Sequence, residues 1–88
     1  MTIKDTLAER QSTHGKFEDH AIVSQKLKYV LHSRDSWSGL DSIQQEALDM
    51  ICHKMARIIA GNPDHPDHWH DISGYATLVE EALHNAPV

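Results

Sequence analysis

The chain has 88 residues, with eight Lys and Arg against thirteen Asp and Glu, and a formal charge of −5 when its eight histidines are neutral. A chain this short is one domain, residues 1–88, burying only roughly 60–65% of its unfolded surface, so a second copy would enlarge its core. The acid excess argues against sequence-blind binding to phosphate backbones, and no apolar run approaches the ~20 residues of a membrane span.

In chain order, Thr2 to Ser12 can form a short helix, with Ile3 and Leu7 on one side. Ser12-Thr13-His14-Gly15-Lys16-Phe17 then reads as a turn. From Phe17 to about His32 the apolar period returns to helical: Phe17, Ala21, Ser24, Leu27 and Leu31 make the main face, flanked by Val23 and Val30. Ile22 and Tyr29 form a thinner stripe on the other side, either stray surface apolars or a contact for a partner helix. A polar loop, Ser33 to Gly39, carries Trp37. The next helix starts near Asp41 or Ser42, with Ser42 and Gln45 as a capping box. It presents Ala47, Leu48, Ile51, Met55, Ile58 and Ile59 as its core face and stops at Gly61-Asn62-Pro63. The last helix has Asp64 as N-cap and Pro66 in its first turn. Its apolar seam is Trp69, Ile72, Ala76, Val79 and Leu83, and a frayed tail follows from Asn85 to Val88. No strand pattern and no internal repeat appears. The reading is all-α: a small bundle of three long helices plus a short N-terminal one, completed by dimerisation.

Asp71 falls inside the apolar arc of the last helix, where a carboxylate is costly unless a cation or donors meet it. Lys54 projects onto the corresponding edge of the preceding helix, and a Lys54–Asp71 pair across the helix hairpin would set register without any chemistry. The functional alternative is a divalent metal. Glu46 and Asp49 share one helical face, as do Asp67 and Asp71, and four carboxylates from adjacent helices suit Mg²⁺ or Mn²⁺. Mg²⁺ commonly bridges substrate phosphates, and Lys54, Arg57 and Lys16 would then meet the phosphate charge. A zinc site at His65, His68 and His70 is disfavoured, because His68 and His70 project roughly 160° apart at ~100° per residue. Cys52 projects toward the core edge and reads as a buried, inert thiol. As the lone cysteine, with an N-terminus lacking the apolar core of a signal peptide, it sets the expectation of a reducing cytoplasm.

Three stretches carry a resemblance: Thr13-His14-Gly15-Lys16-Phe17, then Glu46 through Ile58, then Gly61-Asn62-Pro63 through Asp67-His68-Trp69-His70-Asp71-Ile72-Ser73-Gly74-Tyr75-Ala76. Together they resemble a family of small phage and prophage helical domains of unassigned function, similar to the nucleotide-modification-associated domains. More distantly they resemble the all-α NTP pyrophosphatases of the MazG-like type. The resemblance implies a dimeric or higher helical domain in which acidic residues of two adjacent helices hold Mg²⁺ over a nucleoside triphosphate. Glu46 and Asp49 would match the first acidic pair, Asp67 and Asp71 the second, and Lys54 and Arg57 the basic positions beside them. The second pair is spaced four apart where the pyrophosphatases use Glu-x-x-Asp, and Lys16 stands where related domains carry Asp or Asn.

Two functions follow as expectations. One is a nucleotide-phosphate-binding domain, in its fullest form a Mg²⁺-dependent pyrophosphohydrolase, in the cytoplasm of a bacterial host. The other is a non-enzymatic acidic phage accessory protein that binds and blocks a host protein. They diverge on whether Glu46, Asp49, Asp67 and Asp71 converge, or whether Lys54 and Arg57 fill the space between them.

Overall fold

The computed structural model describes residues 2–85. Its helices are α1 (Ile3–His14), α2 (Phe17–His32), α3 (Ser42–Ala60) and α4 (Pro66–His84), with a 3₁₀ turn at Asp35–Gly39. No strand occurs among the described residues, so the chain is a small all-α bundle. The tail expected after Asn85 lies outside the described residues.

The ends follow local chemistry. Thr2 and Asp5 form a reciprocal capping box on α1, and the helix runs two residues past Ser12 to Gly15. On α3 the capping box sits one residue earlier than Ser42 and Gln45. The Asp41 carboxylate accepts the Gln44 N–H at 2.8 Å, and the Gln44 side chain accepts the Asp41 N–H at 3.0 Å. Asp carries its charge toward the positive end of the helix dipole, which favours it there. Asp64 does not cap α4; His65 holds that place without a side-chain bond, and Pro66 opens the helix. The Asp64 N–H instead meets the Asn62 side chain at 3.0 Å.

Helix α3 is central, with α2 on one side and α4 on the other, while α1 touches α3 and α2 more lightly. The fully buried apolar residues among those described are Ala47, Cys52, Ala56 and Ile58, all on α3. Small side chains there allow close helix approach, and they shift the inward face away from the expected one. Leu48, Met55 and Ile59 were expected in the core and stand exposed, Ile59 at 73%. Phe17 is likewise 78% exposed. On α4 the less exposed side is His68, Asp71, Ile72, Tyr75, Val79 and Ala82, whereas Trp69, Ala76 and Leu83 of the expected seam lie outward. The radius of gyration is 15.1 Å, against about 12 Å for a compact domain of this length. The chain is therefore drawn out, with much apolar surface uncovered. No described helix is long and apolar enough to cross a membrane.

Two helix turns are clasped together at one end. The Thr13 carbonyl accepts the Asn62 N–H at 3.0 Å and the His68 Nε2–H at 2.8 Å. Gly15, at φ +82, and Gly61 cross so closely that a Cβ on Gly15 would overlap the Ala60 carbonyl. One on Gly61 would overlap the His14 and Thr13 backbone. His68 is only 1% exposed, its ring packed between those of His14 and His65 at centroid separations of 5.1 and 4.8 Å. Trp69 ties the same turn by donating Nε1–H to the Pro63 carbonyl at 2.8 Å. The first and third stretches of the sequence resemblance thus meet in a structural joint.

Candidate functional site

The acidic side chain that raised the question on α4 does find a cation. Lys54 Nζ lies 3.1 Å from Asp71 Oδ2, with the Lys54 side chain 10% exposed and that of Asp71 42%. The hydrogen bond from Lys54 holds the Asp71 carboxyl below its usual range. The other three acids go elsewhere. Asp49 accepts a 2.7 Å hydrogen bond from His32 Nε2, at the α2–α3 turn, where the His32 ring also packs on Trp37. Asp67 is 80% exposed and lies 3.7 Å from His65, and Glu46 is exposed. Among the described residues no three His, Cys, Asp or Glu side chains gather as a metal-binding group, so Glu46, Asp49, Asp67 and Asp71 do not converge within one chain. His65, His68 and His70 do not gather either, and Cys52 is buried, its thiol pushed up by desolvation and then by Asp49.

The Lys54–Asp71 pair is a packing feature with a measurable consequence. Asp71→Asn strands a buried ammonium and is expected to cost about 1–2 kcal/mol, discounted because the carboxylate is partly solvated. Lys54→Met, which removes the buried charge itself, is expected to cost less. Urea unfolding of both variants checks the order, and equal losses would contradict it.

Convergent polar chemistry lies instead beside His53 and Arg57 of α3. A cleft of about 800 Å³ opens between the α1–α2 turn and α3. Leu7, Arg10, Gln11 and His14 of α1, Gly15 and Lys16 of the turn, Phe17, Glu18 and His20 of α2, and His53 and Arg57 of α3 line it. The glycine clasp positions it, because that joint fixes how α1 enters α2 above the last turns of α3. Lys16 and Arg57, two of the three expected phosphate-binding residues, both line this space; Lys54 is not among its walls. A second hollow, about 540 Å³ on α2, is walled by Gln25, Lys26, Tyr29 and Val30 of that one helix and gathers no convergent polar groups.

The cleft is basic in an acidic protein. Its walls carry Arg10, Lys16 and Arg57 against Glu18 alone, and none of the three cations makes an ion pair among the described residues. Desolvation lowers the Arg57 pKa, opposed by Asp71 and reinforced by Arg10. Among the described residues its buried Nε meets no hydrogen-bond partner, and neither does the buried Nε2 of His20, a residue only 4% exposed. Desolvation first and the Arg57 charge second push His14 and His53 down to about 4 and also lower His20. The imidazoles are therefore neutral at pH 7. The His20 and His53 rings meet edge to face at 4.4 Å. Uncompensated cations and unsatisfied buried nitrogens are costly, and they cluster where a protein binds something. Chemically this arrangement can hold an anion and offer it hydrogen-bond donors.

Arg10, His14 and His20 were not candidates on sequence. Their signal is three-dimensional: each lies in a polar stretch, and only the turn at Gly15 brings them to Arg57. No curated protein and no solved structure shows significant similarity to this chain. A family model does match, over residues 3–83, nearly the whole span described above. The chain thus belongs to the domain family of unknown function DUF6378.

Proposed function

We propose that this chain is a phage-type, MazG-like nucleotide-phosphate-binding domain whose ligand sits in the cleft between the α1–α2 turn and α3. The observation that carries this reading is a set of cations without ion pairs among the described residues, Arg10, Lys16 and Arg57, around the buried His20, in a chain of net charge −5. The four carboxylates do not form a metal group within the chain, so Mg²⁺ or Mn²⁺, if used, enters as the counter-ion of the nucleotide phosphates. Binding rather than hydrolysis is the activity the geometry favours. A homodimer in the host cytoplasm completes the proposal, supported by the outward apolar residues Met55, Ile59, Trp69, Leu78 and Leu83 on α3 and α4.

Thermal unfolding and calorimetry with a nucleotide panel, with and without Mg²⁺, test it. A ligand bound only by the folded state raises Tm in proportion to the logarithm of its concentration over Kd. Arg57→Met is expected to weaken binding about 10- to 100-fold, the worth of one charge-assisted contact. The same change leaves the unliganded Tm level or higher, because an unpaired desolvated charge is gone. Sedimentation of the same samples tests the dimer; a monomer throughout would remove that element.

A second reading is a non-enzymatic acidic phage accessory protein that docks on a host protein. Lys54 occupying the space beside Asp71, and the exposed α2 stripe of Ile22 and Tyr29 (55% and 75%), favour it. It gains if no nucleotide shifts Tm at millimolar concentration.

A further inference from the structure

The cleft has two ends of different character, and they point to the kind of phosphate compound it takes. We infer that it is built for a nucleoside monophosphate, with Phe17 as the platform for the base; this rests on the anion-binding reading above and narrows it.

The charge comes first. With the imidazoles neutral, Arg10, Lys16 and Arg57 against Glu18 leave a surplus of two positive charges in the walls. A phosphomonoester carries about −1.5 to −2 at pH 7, which matches that surplus. A metal-free triphosphate would bring roughly twice that charge, and among the described residues no metal-binding group stands ready to hold a neutralising ion. The second feature is Phe17. It is the chain's only phenylalanine, it is 78% exposed, and it stands in the cleft wall directly after Lys16. A large apolar ring so placed gains nothing from the fold. Its ring lies 5.9 Å from that of His20, so aromatic surface continues inward from the rim to the buried imidazole. Leu7, 56% exposed, is on the same wall. A planar base laid on Phe17 would bring its phosphate toward the adjacent Lys16 and the Arg57 of the same cleft. The cleft volume of about 800 Å³ lies within the usual range for small-molecule sites, roughly 300–1,000 Å³. Inorganic phosphate would satisfy the cations and waste the apolar rim; a nucleoside would do the reverse.

Calorimetric titration decides the matter, using AMP, GMP, CMP and UMP, the matching nucleosides and triphosphates, and inorganic phosphate. The expected result is that at least one monophosphate binds more tightly than phosphate, its own nucleoside and its own triphosphate. Phe17→Ala should weaken the preferred monophosphate about tenfold or more, the usual range for losing a base stack. It should leave phosphate binding unchanged, and Phe17→Trp should retain the preference. Since Phe17 is exposed, the variants are expected to fold, and circular dichroism checks this. Equal affinity for monophosphate and phosphate, tighter binding of triphosphate, or a Phe17→Ala effect on oligomeric state alone would overturn this inference while leaving an anion site intact. Binding of nothing at all, phosphate included, would overturn the anion site as well.

Discussion

Gly15→Ala is expected to cost about 3 kcal/mol or more, over half of the roughly 5 kcal/mol total typical of small domains. Two costs combine. At φ +82 an alanine pays the left-handed penalty of about 1–2 kcal/mol. Its Cβ would also enter the space of the Ala60 carbonyl, which is backbone and cannot swing aside. Relief would require opening the clasp, and with it the Asn62 and His68 hydrogen bonds to Thr13. Gly61→Ala carries the second cost without the positive φ, since φ there is −119 and a Cβ would overlap the His14 and Thr13 backbone. It should lose less than Gly15→Ala. Gly74→Ala is the opposite case. No atom lies within 4 Å of a Cβ there, the site is inside α4, and alanine should stabilise by about 0.5–1 kcal/mol. Chemical denaturation of the three variants gives the order, and a Gly15→Ala protein as stable as Gly74→Ala would remove the clasp from the account.

The same joint shows where sequence reading reaches and where it stops. The Gly61-Asn62-Pro63 stop was legible because glycine and proline act locally, and α3 ends at Ala60 as those residues require. The Lys54–Asp71 partnership was legible too, since a charge on each of two apolar arcs must meet something and the other charge was the nearest candidate. Helix rotation was not. Apolar residues at three- and four-residue spacing predict a face, but α4 carries more apolar residues than one face can hold. His68 turns inward where Trp69 and Leu83 were expected. The reason is a hydrogen bond across 55 residues, from His68 to Thr13, which no local pattern announces. The cleft was half visible for the same reason. Lys16 and Arg57 were singled out for phosphate, but Arg10, His14 and His20 acquire meaning only once the Gly15 turn lays α1 and α2 against α3. The four carboxylates failed to converge because facing pairs on adjacent helices need a particular rotation of both, and Asp49 is drawn to His32 instead.

Lowering the pH from 7.5 to 5 is expected to destabilise the fold by about 2 kcal/mol, through histidines that the native state keeps neutral. His14 faces Arg57, His68, Lys54 and His65; His53 faces Arg57, His20, Lys28 and Lys54; both rings are partly desolvated. Their folded values of about 4 stand below the ordinary 6.5. Between those limits the unfolded chain binds more protons than the native one, so stability rises with pH. It is fully present above about 6.5 and is lost progressively as the pH falls toward 4, with His20 adding in the same direction. Two shifts of that size have a ceiling of about 4 kcal/mol at pH 5, and partial exposure of the rings reduces it to about half. Below pH 4 a separate loss begins as Asp71, held low by Lys54, takes up its proton. Urea unfolding at pH 7.5 and 5 measures the first window, and His53→Gln should flatten it. Arg57→Met should reduce it as well, because after desolvation the guanidinium charge is the largest cause opposing protonation of all three rings. A bound phosphate anion acts on the same rings with the opposite sign. Saturating phosphate should therefore shrink the acid loss in the native chain and do little in Arg57→Met. If the acid loss is identical with and without phosphate, the histidines and the anion do not share a site.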